Sequence, residues 1–168
     1  MAGPIRGVRP RMRSARKLVM GVFVAAMTTS ATQAQVLTGS CTVVVHNQGK
    51  IALNASGNKL SSKSGGGQSV LATVTSQAGL LCNLTQPLLC YGLSAPAPLV
   101  FASSPLDGSV GAVFTSTYRL DNGAETAGSA RATLLDGAHN VEVHLDATKA
   151  VGAFGAGDYR AEVVIRCE

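Results

Sequence analysis

The sequence predicts an all-β protein: an antiparallel, immunoglobulin-like β-sandwich of about eight strands that follows a cleaved signal peptide. Short runs alternate between apolar and polar residues at period two, as in the closing run 159–167. Clusters of Gly, Ser, Asn and Asp separate these runs at intervals of roughly 8–15 residues. No run shows a helical period over about eleven residues. The crossover helices of a parallel α/β fold are therefore not expected.

The first 34 residues predict a secretory signal peptide. Six Lys or Arg side chains lie within residues 1–17, an apolar run of ten residues follows from Leu18 to Met27, and small residues precede Ala34. A bilayer needs about 20 apolar residues, so no stable membrane anchor is expected. We expect cleavage after Ala34, a single domain over 35–168, and an extracytoplasmic location in the periplasm, at the cell surface or in the medium.

The positive charge belongs to the leader. The whole chain carries +5, but residues 35–168 hold eight Lys or Arg against nine Asp or Glu, a net of −1. Nucleic-acid binding needs a basic surface, so no nucleic-acid partner is expected for the domain.

All four cysteines lie in the expected domain, and an even number in an exported chain predicts disulfides. Four cysteines allow three pairings. We favour Cys82–Cys90, which are close in sequence with Pro87 between them, together with Cys41–Cys167, which lie in the first and last strands. A zinc site is the alternative, but no Cys-x-x-Cys spacing supports it.

Strands are expected along the whole domain, separated by a polar loop and a proline-rich connection. Asn54–Gln68 is polar and rich in Ser and Gly, which predicts a loop. Residues 87–105 contain four prolines, which cannot donate to a central ladder, so this stretch is expected to be a connection or a set of edge segments. The expected strands are 41–46, which resumes over 51–53 after a turn, then 70–75, 80–82, 112–120, 130–135, 141–146 and 159–167, with 99–101 as one short piece of the connection. Asp121-Asn122-Gly123 is a strong hairpin signal.

The last strand has the clearest alternation. Odd-numbered residues from Tyr159 to Cys167 are expected to face the core, and the charged residues between them to face water. The chain stops directly after this strand. Either the first strand pairs beside it or its edge is open, and an open edge accepts strand addition from another chain. We therefore expect Tyr159, Val163 and Ile165 to lie at the partner contact.

Chemistry-bearing motifs are sparse. Glu142, His144 and Asp146 share one strand face at about 7 Å intervals, where neighbours could hold a metal, but we interpret them as a solvated face of mixed charge. There is no Gly-x-Ser-x-Gly and no His-Glu-x-x-His. We expect no catalytic, metal or cofactor-binding residues, and no enzyme activity.

The aromatic residues weigh against a sugar-binding surface, because the chain has no Trp. Phe114, Tyr118 and Tyr159 fall on predicted core faces. The remaining aromatic residues of the domain are available as stacking platforms, and they are Tyr91, Phe101 and Phe154.

The two ends of the domain resemble a known group of exported domains. Gly157-Asp158-Tyr159 is similar to a tyrosine corner, in which the phenol bonds to upstream backbone. The early Cys-Thr-Val-Val-Val and the closing Gly-Asp-Tyr-Arg-Ala-Glu-Val-Val-Ile-Arg-Cys-Glu resemble bacterial pilin-like and spore-coat-U-like domains. The resemblance implies an incomplete immunoglobulin-like sandwich that is completed by a strand from a neighbour.

Together these features predict an exported, non-enzymatic structural or interaction protein, such as a surface or pilus-like component. Its expected contact is with a protein partner, or with itself, through strand addition. The alternative is a monomeric periplasmic or secreted binding or inhibitory module.

Overall fold

The computed structural model describes residues 39–78, 82 and 90–168. The expected signal peptide 1–34, the Leu80–Leu81 part of an expected strand, and Pro87 lie outside these residues. Within the described ranges the strands are β1 (Ser40–Asn47), β2 (Ala52–Leu53), β3 (Lys59–Ser61), β4 (Val70–Gln77), β5 (Tyr91–Ser94), β6 (Ala112–Leu120), β7 (Glu125–Ala127), β8 (Ala132–Leu134), β9 (Gly137–Lys149) and β10 (Arg166–Cys167).

The larger sheet is built around β9. Its path is β1-β4-β9-β3-β2, and β6 pairs with β9 and carries β7 on its other side. Each of these pairings is antiparallel. Because β9 is 13 residues long, its first half pairs with β4 and its second half with β3. This arrangement leaves β1 at one edge of the larger sheet.

The smaller sheet has the order β10-β5-β8 and is also antiparallel. The two sheets face each other across a common core: Val74, Val141 and Tyr118 come from the larger sheet, and Leu93 and Leu134 from the smaller one, all nearly inaccessible to solvent. The described part of the protein is therefore an antiparallel β-sandwich, as the sequence predicts.

Alternation sets which side chains enter this core. In β6, Ser116 and Tyr118 are buried while Val113, Thr115 and Arg119 are exposed, which confirms the predicted faces. The predicted hairpin turn after β6 is also present. Asp121 and Asn122 adopt φ of 50° and 58°, and the Gly123 N–H donates to the Leu120 carbonyl at 2.8 Å, which is a type I′ turn.

An aromatic cluster forms a second core. The Phe101 ring lies 4.7 Å from Phe114, 6.1 Å from Phe154 and 5.0 Å from Tyr159, each edge to face. Phe101 and Phe154 are buried here. The expectation that these two rings are available as stacking platforms is therefore wrong, because they fill the core themselves.

Two expectations about the middle of the chain are also corrected. The expected loop Asn54–Gln68 contains β3, which pairs with both β2 and β9. The proline-rich stretch 87–105 contains β5, which is the central strand of the smaller sheet. β5 lies between Pro87 and Pro96, so no proline interrupts its ladder. The expected short strand 99–101 is irregular instead. Leu99 is exposed, and the Phe101 ring packs in the aromatic cluster.

Candidate functional site

The C-terminal segment, residues 159–167, is anchored where it begins. The Tyr159 phenol donates to the Gly155 carbonyl, four residues upstream, at 2.9 Å. This is the backbone tie that the predicted tyrosine corner requires. The next residue, Arg160, exchanges two backbone hydrogen bonds with Ser103, at 2.8 and 3.1 Å.

The same segment is anchored again where it ends. Glu168 exchanges backbone hydrogen bonds of 3.0 and 2.6 Å with Gly92, next to the short ladder between β10 and β5. The Arg131 guanidinium donates to the Glu168 carbonyl at 2.5 Å and to the Cys90 carbonyl at 3.4 Å. The carboxyl end of the segment is thus held against the smaller sheet.

Between these anchors the backbone is unpaired within the described residues. Residues 161–165 belong to no ladder, and no backbone partner for them occurs in the described ranges. Val163 and Ile165 pack on the core but stay half-buried, whereas Val164 is exposed. The predicted alternation of this strand is confirmed, but its regular pairing is limited to Arg166–Cys167, and the side chains on its core face are half-buried rather than buried.

The register shows where the free backbone groups point. Gly92 and Glu168 exchange both of their hydrogen bonds, so even-numbered residues of an extended strand aim their N–H and C=O groups at β5. Odd-numbered residues then aim theirs the other way. Val163 and Ile165 therefore place their side chains on the core and their backbone groups at the open edge.

The facing edge strand, β1, is uncovered on its inner side. Val43 and Val45 lie opposite Val74 and Ala72 of β4, and residues that pair directly share one face of a sheet. Val74 and Ala72 are 0% and 2% exposed, whereas Val43 and Val45 are 38% and 56% exposed. The second layer therefore covers β4 but not β1.

We use the term groove for the uncovered inner face of β1 together with the unpaired edge of the C-terminal segment, and assign to it Val43 and Val45 on β1 and Val163 and Ile165 on the segment. Its two walls run in opposite directions. Cys41, at the start of β1, is bonded to Cys167 at the end of the C-terminal segment. At the other end, Ile51 packs on the same aromatic cluster as Tyr159 and Ala161. Of the predicted contact residues, Val163 and Ile165 line the groove, while Tyr159 lies at its end.

Both predicted disulfides are present, Cys41–Cys167 and Cys82–Cys90. Such bonds are typical of proteins outside the cytoplasm. In the described part of the chain, no helix is long and apolar enough to cross a membrane.

The outer face of the larger sheet carries Glu142, His144 and Asp146, which the sequence predicts to be a solvated face of mixed charge rather than a metal site. Asp146 forms an ion pair with Lys59 at 2.9 Å, and Glu142 accepts a hydrogen bond from Ser69 at 2.7 Å. No group of three metal-ligating side chains occurs among the described residues. Nearby, hydrogen bonds from Lys63 and Thr117 lower the pKa of Glu125 to about 2.

One hydrogen-bonded series on this face was not predicted. Ser62 Oγ lies 3.2 Å from His144 Nδ1, and His144 Nε2 lies 3.5 Å from Glu142 Oε1. Burial lowers the pKa of His144, so its neutral imidazole can accept a hydrogen bond from the Ser62 hydroxyl. Ser62 is itself buried and accepts the Leu145 N–H at 3.2 Å, so the series fixes the turn after β3 to β9. Ser62 and His144 are far apart in sequence, and no spacing motif joins them.

Comparison with known proteins adds no relative: no family model, curated protein or solved structure matches this chain.

Proposed function

We propose that this protein is an exported, non-enzymatic structural or interaction protein, a surface or pilus-like component, whose sandwich is completed when another polypeptide adds a strand in the groove. The observation that carries the proposal is the pair of incomplete walls. One wall has apolar side chains without cover, and the other has backbone groups without partners in the described ranges.

The physical argument starts from the backbone. An unpaired strand edge presents N–H and C=O groups that can pair with another chain, so residues 161–165 favour an occupant that supplies matching groups along their length. An extended strand does so, and its alternate side chains would cover Val43 and Val45. Each valine fully removed from water contributes roughly 1.5–3 kcal/mol, a gain that favours filling the groove.

Export is the second part of the proposal. The leader 1–34 has the order of charged, apolar and small residues that signal peptidases process, and the disulfides suit an oxidising compartment. We expect the mature chain to begin at or near Gln35. Mass spectrometry of the exported protein checks this, and a mature chain that retains residues 1–34 contradicts it.

Amide hydrogen exchange tests the open edge. In dilute monomer the amides of Ala161, Val163 and Ile165 should exchange quickly, and at concentrations where light scattering detects oligomers they should become protected. Equal, strong protection at all concentrations would show that the edge is already satisfied. A strict monomer that leaves these amides fast restricts the proposal to strand addition by a different protein.

A matched pair of variants identifies the surface used. Val44 and Val45 are both 56% exposed on β1, but only Val45 lies on the groove side. Val45→Lys should reduce self-association at least tenfold, because it places a charge where the added strand packs. Val44→Lys should change it less than about twofold. Equal effects of both substitutions would place the contact elsewhere.

A further inference from the structure

We propose that the groove accepts only about five extended residues of an incoming chain, apolar at alternate positions, and that the Cys41–Cys167 disulfide fixes where this segment stops. The inference rests on the proposed function, because it describes the strand that the groove would take. It assigns to the disulfide a role in selecting the partner besides its role in stability.

The disulfide end is too narrow for another strand. The Cα atoms of Cys41 and Cys167 are 6.3 Å apart. A strand inserted between two others needs about 9.6 Å between its flanks, and two stacked sheets stand about 10 Å apart. The separation is below both values. Gly39 fills the same corner, where a Cβ would lie 2.9 Å from the Tyr91 hydroxyl.

The opposite end is closed by the aromatic cluster. Ile51 and Ala161 both pack against it, and the Tyr159 ring lies 5.0 Å from Phe101 and 5.5 Å from Phe154. Residues 161–165 run from the last residue that packs on this cluster to the residue before β10, and they are the part of the C-terminal segment without a backbone partner in the described ranges. Five extended residues span about 16 Å, and about three of them can face inward.

The walls specify the chemistry of the segment. Val43, Val45, Val163 and Ile165 are all apolar, so a charge facing them would be buried without a partner. The nearby Arg160–Glu162 ion pair, at 3.3 Å, is well exposed and lies on the outward side. The incoming segment should therefore be apolar at positions i, i+2 and i+4. Charges are tolerated only at the outward positions, and a proline would remove a donor from the new ladder.

Synthetic peptides test this directly. The probe is a peptide of about seven residues with valine alternating with serine or threonine, and a second peptide of about eleven residues continues the same pattern. The control peptide has the same composition as the shorter one with its valines consecutive. Affinities are measured by titration calorimetry, and backbone contacts by amide exchange, on the oxidised protein, on Cys41→Ser/Cys167→Ser, and on Cys82→Ser/Cys90→Ser as the matched disulfide control.

On the oxidised protein, both alternating peptides should bind with equal affinity, within about twofold, and should protect Val163 and Ile165 but not Cys167. In Cys41→Ser/Cys167→Ser the affinity of the longer peptide should rise at least tenfold, and protection from amide exchange should extend to residue 167. Cys82→Ser/Cys90→Ser should bind both peptides as the wild type does. If Cys41→Ser/Cys167→Ser does not fold, the length comparison on the oxidised protein decides alone.

The two proposals fail in different ways. If no alternating peptide binds better than the control peptide to any of the proteins, the proposed function is wrong. If the peptides bind but the longer one binds the oxidised protein more tightly, or protects Cys167, the groove runs past the disulfide and this inference is wrong. The inference is also wrong if the longer peptide binds a folded Cys41→Ser/Cys167→Ser variant no more tightly than it binds the oxidised protein.

Discussion

Two tyrosines show how the same hydroxyl stabilises differently according to burial. The Tyr118 hydroxyl is buried and lies 3.2 Å from the Leu93 carbonyl and 3.0 Å from the Ala130 carbonyl, which ties β6 to the opposite layer. Tyr118→Phe should cost about 1–3 kcal/mol in the free energy of unfolding, because it removes the hydroxyl that donates to the buried Leu93 carbonyl. Urea denaturation measures this loss.

Tyr159 provides the control for that measurement. Its hydroxyl makes one bond, to the exposed Gly155 carbonyl, and water can replace it. Tyr159→Phe should cost about 0.5–1.5 kcal/mol. A larger loss for Tyr159→Phe than for Tyr118→Phe would contradict the view that burial decides the cost.

Two histidines should give opposite pH dependence of stability. Burial lowers the pKa of His144 below 6.5. The contribution of His144 to stability is therefore complete above pH 6.5 and is lost as the pH falls through the lowered pKa of the folded state. Burial also opposes charge on His139, but its hydrogen bonds to Asp121, at 2.7 Å, and to the Leu135 carbonyl, at 2.9 Å, outweigh burial and raise its pKa. The contribution of His139 is complete below pH 6.5 and is lost as the pH rises through the raised pKa.

Substitution separates the two contributions. Relative to the wild type, His144→Gln should flatten the stability profile on the acid side of pH 6.5, and His139→Gln should flatten it on the alkaline side. Thermal unfolding followed across roughly pH 5 to 8 checks both variants. The same direction of change in both would show that at least one of these pKa shifts has the wrong sign.

At the level of the element, the C-terminal segment should contribute less than a fully covered strand. Ile165 is half-buried, whereas Leu93 in β5 is 0% exposed. Leu93→Ala should cost about 2–5 kcal/mol, and Ile165→Ala about half as much, because fewer contacts are lost. Glu162→Ala should stay within about 0.5 kcal/mol, since the side chain is exposed. If an added strand covers Ile165, Ile165→Ala should lower the free energy of unfolding more in the assembled protein than in the monomer.

The elements that the sequence predicts correctly are those in which only one face is buried. β4 and β6 alternate at period two, so the order of residues along each strand indicates which side chains lie inside. β3 was missed because its three residues, Lys-Leu-Ser, are too few to show a period. β5 was missed because prolines surround it, although none enters its ladder. Local pattern therefore identifies strands, but pairing identifies the central ones.

Only one wall of the groove was predicted from the sequence. The alternation from Tyr159 to Cys167 indicates an edge, and Val163 and Ile165 lie there. The other wall could not be predicted, because β1 has Val43, Val44 and Val45 in a row and no alternation separates an inner from an outer face. Only the burial of the neighbouring β4 shows which side of β1 lacks cover.

At the level of the whole molecule, the groove and the disulfides belong to one arrangement. The two sheets share a core on the β4, β9 and β6 side, but at β1 the larger sheet extends past its cover. The Cys41–Cys167 bond joins the two layers at that side. It can therefore hold the incomplete edge together in the absence of an added strand.

The two disulfides should for this reason differ in their contribution to stability. Cys41–Cys167 closes a loop with a sequence separation of 126, and Cys82–Cys90 one of 8. In the chain-entropy model their contributions are about 5 and about 2.5 kcal/mol, because the longer loop restricts the unfolded chain more. Cys41→Ser/Cys167→Ser should thus lower the free energy of unfolding by about 2.5 kcal/mol more than Cys82→Ser/Cys90→Ser, as measured by urea denaturation. Equal losses would mean that the unfolded chain already keeps its ends together, so that the longer loop gains nothing from the bond.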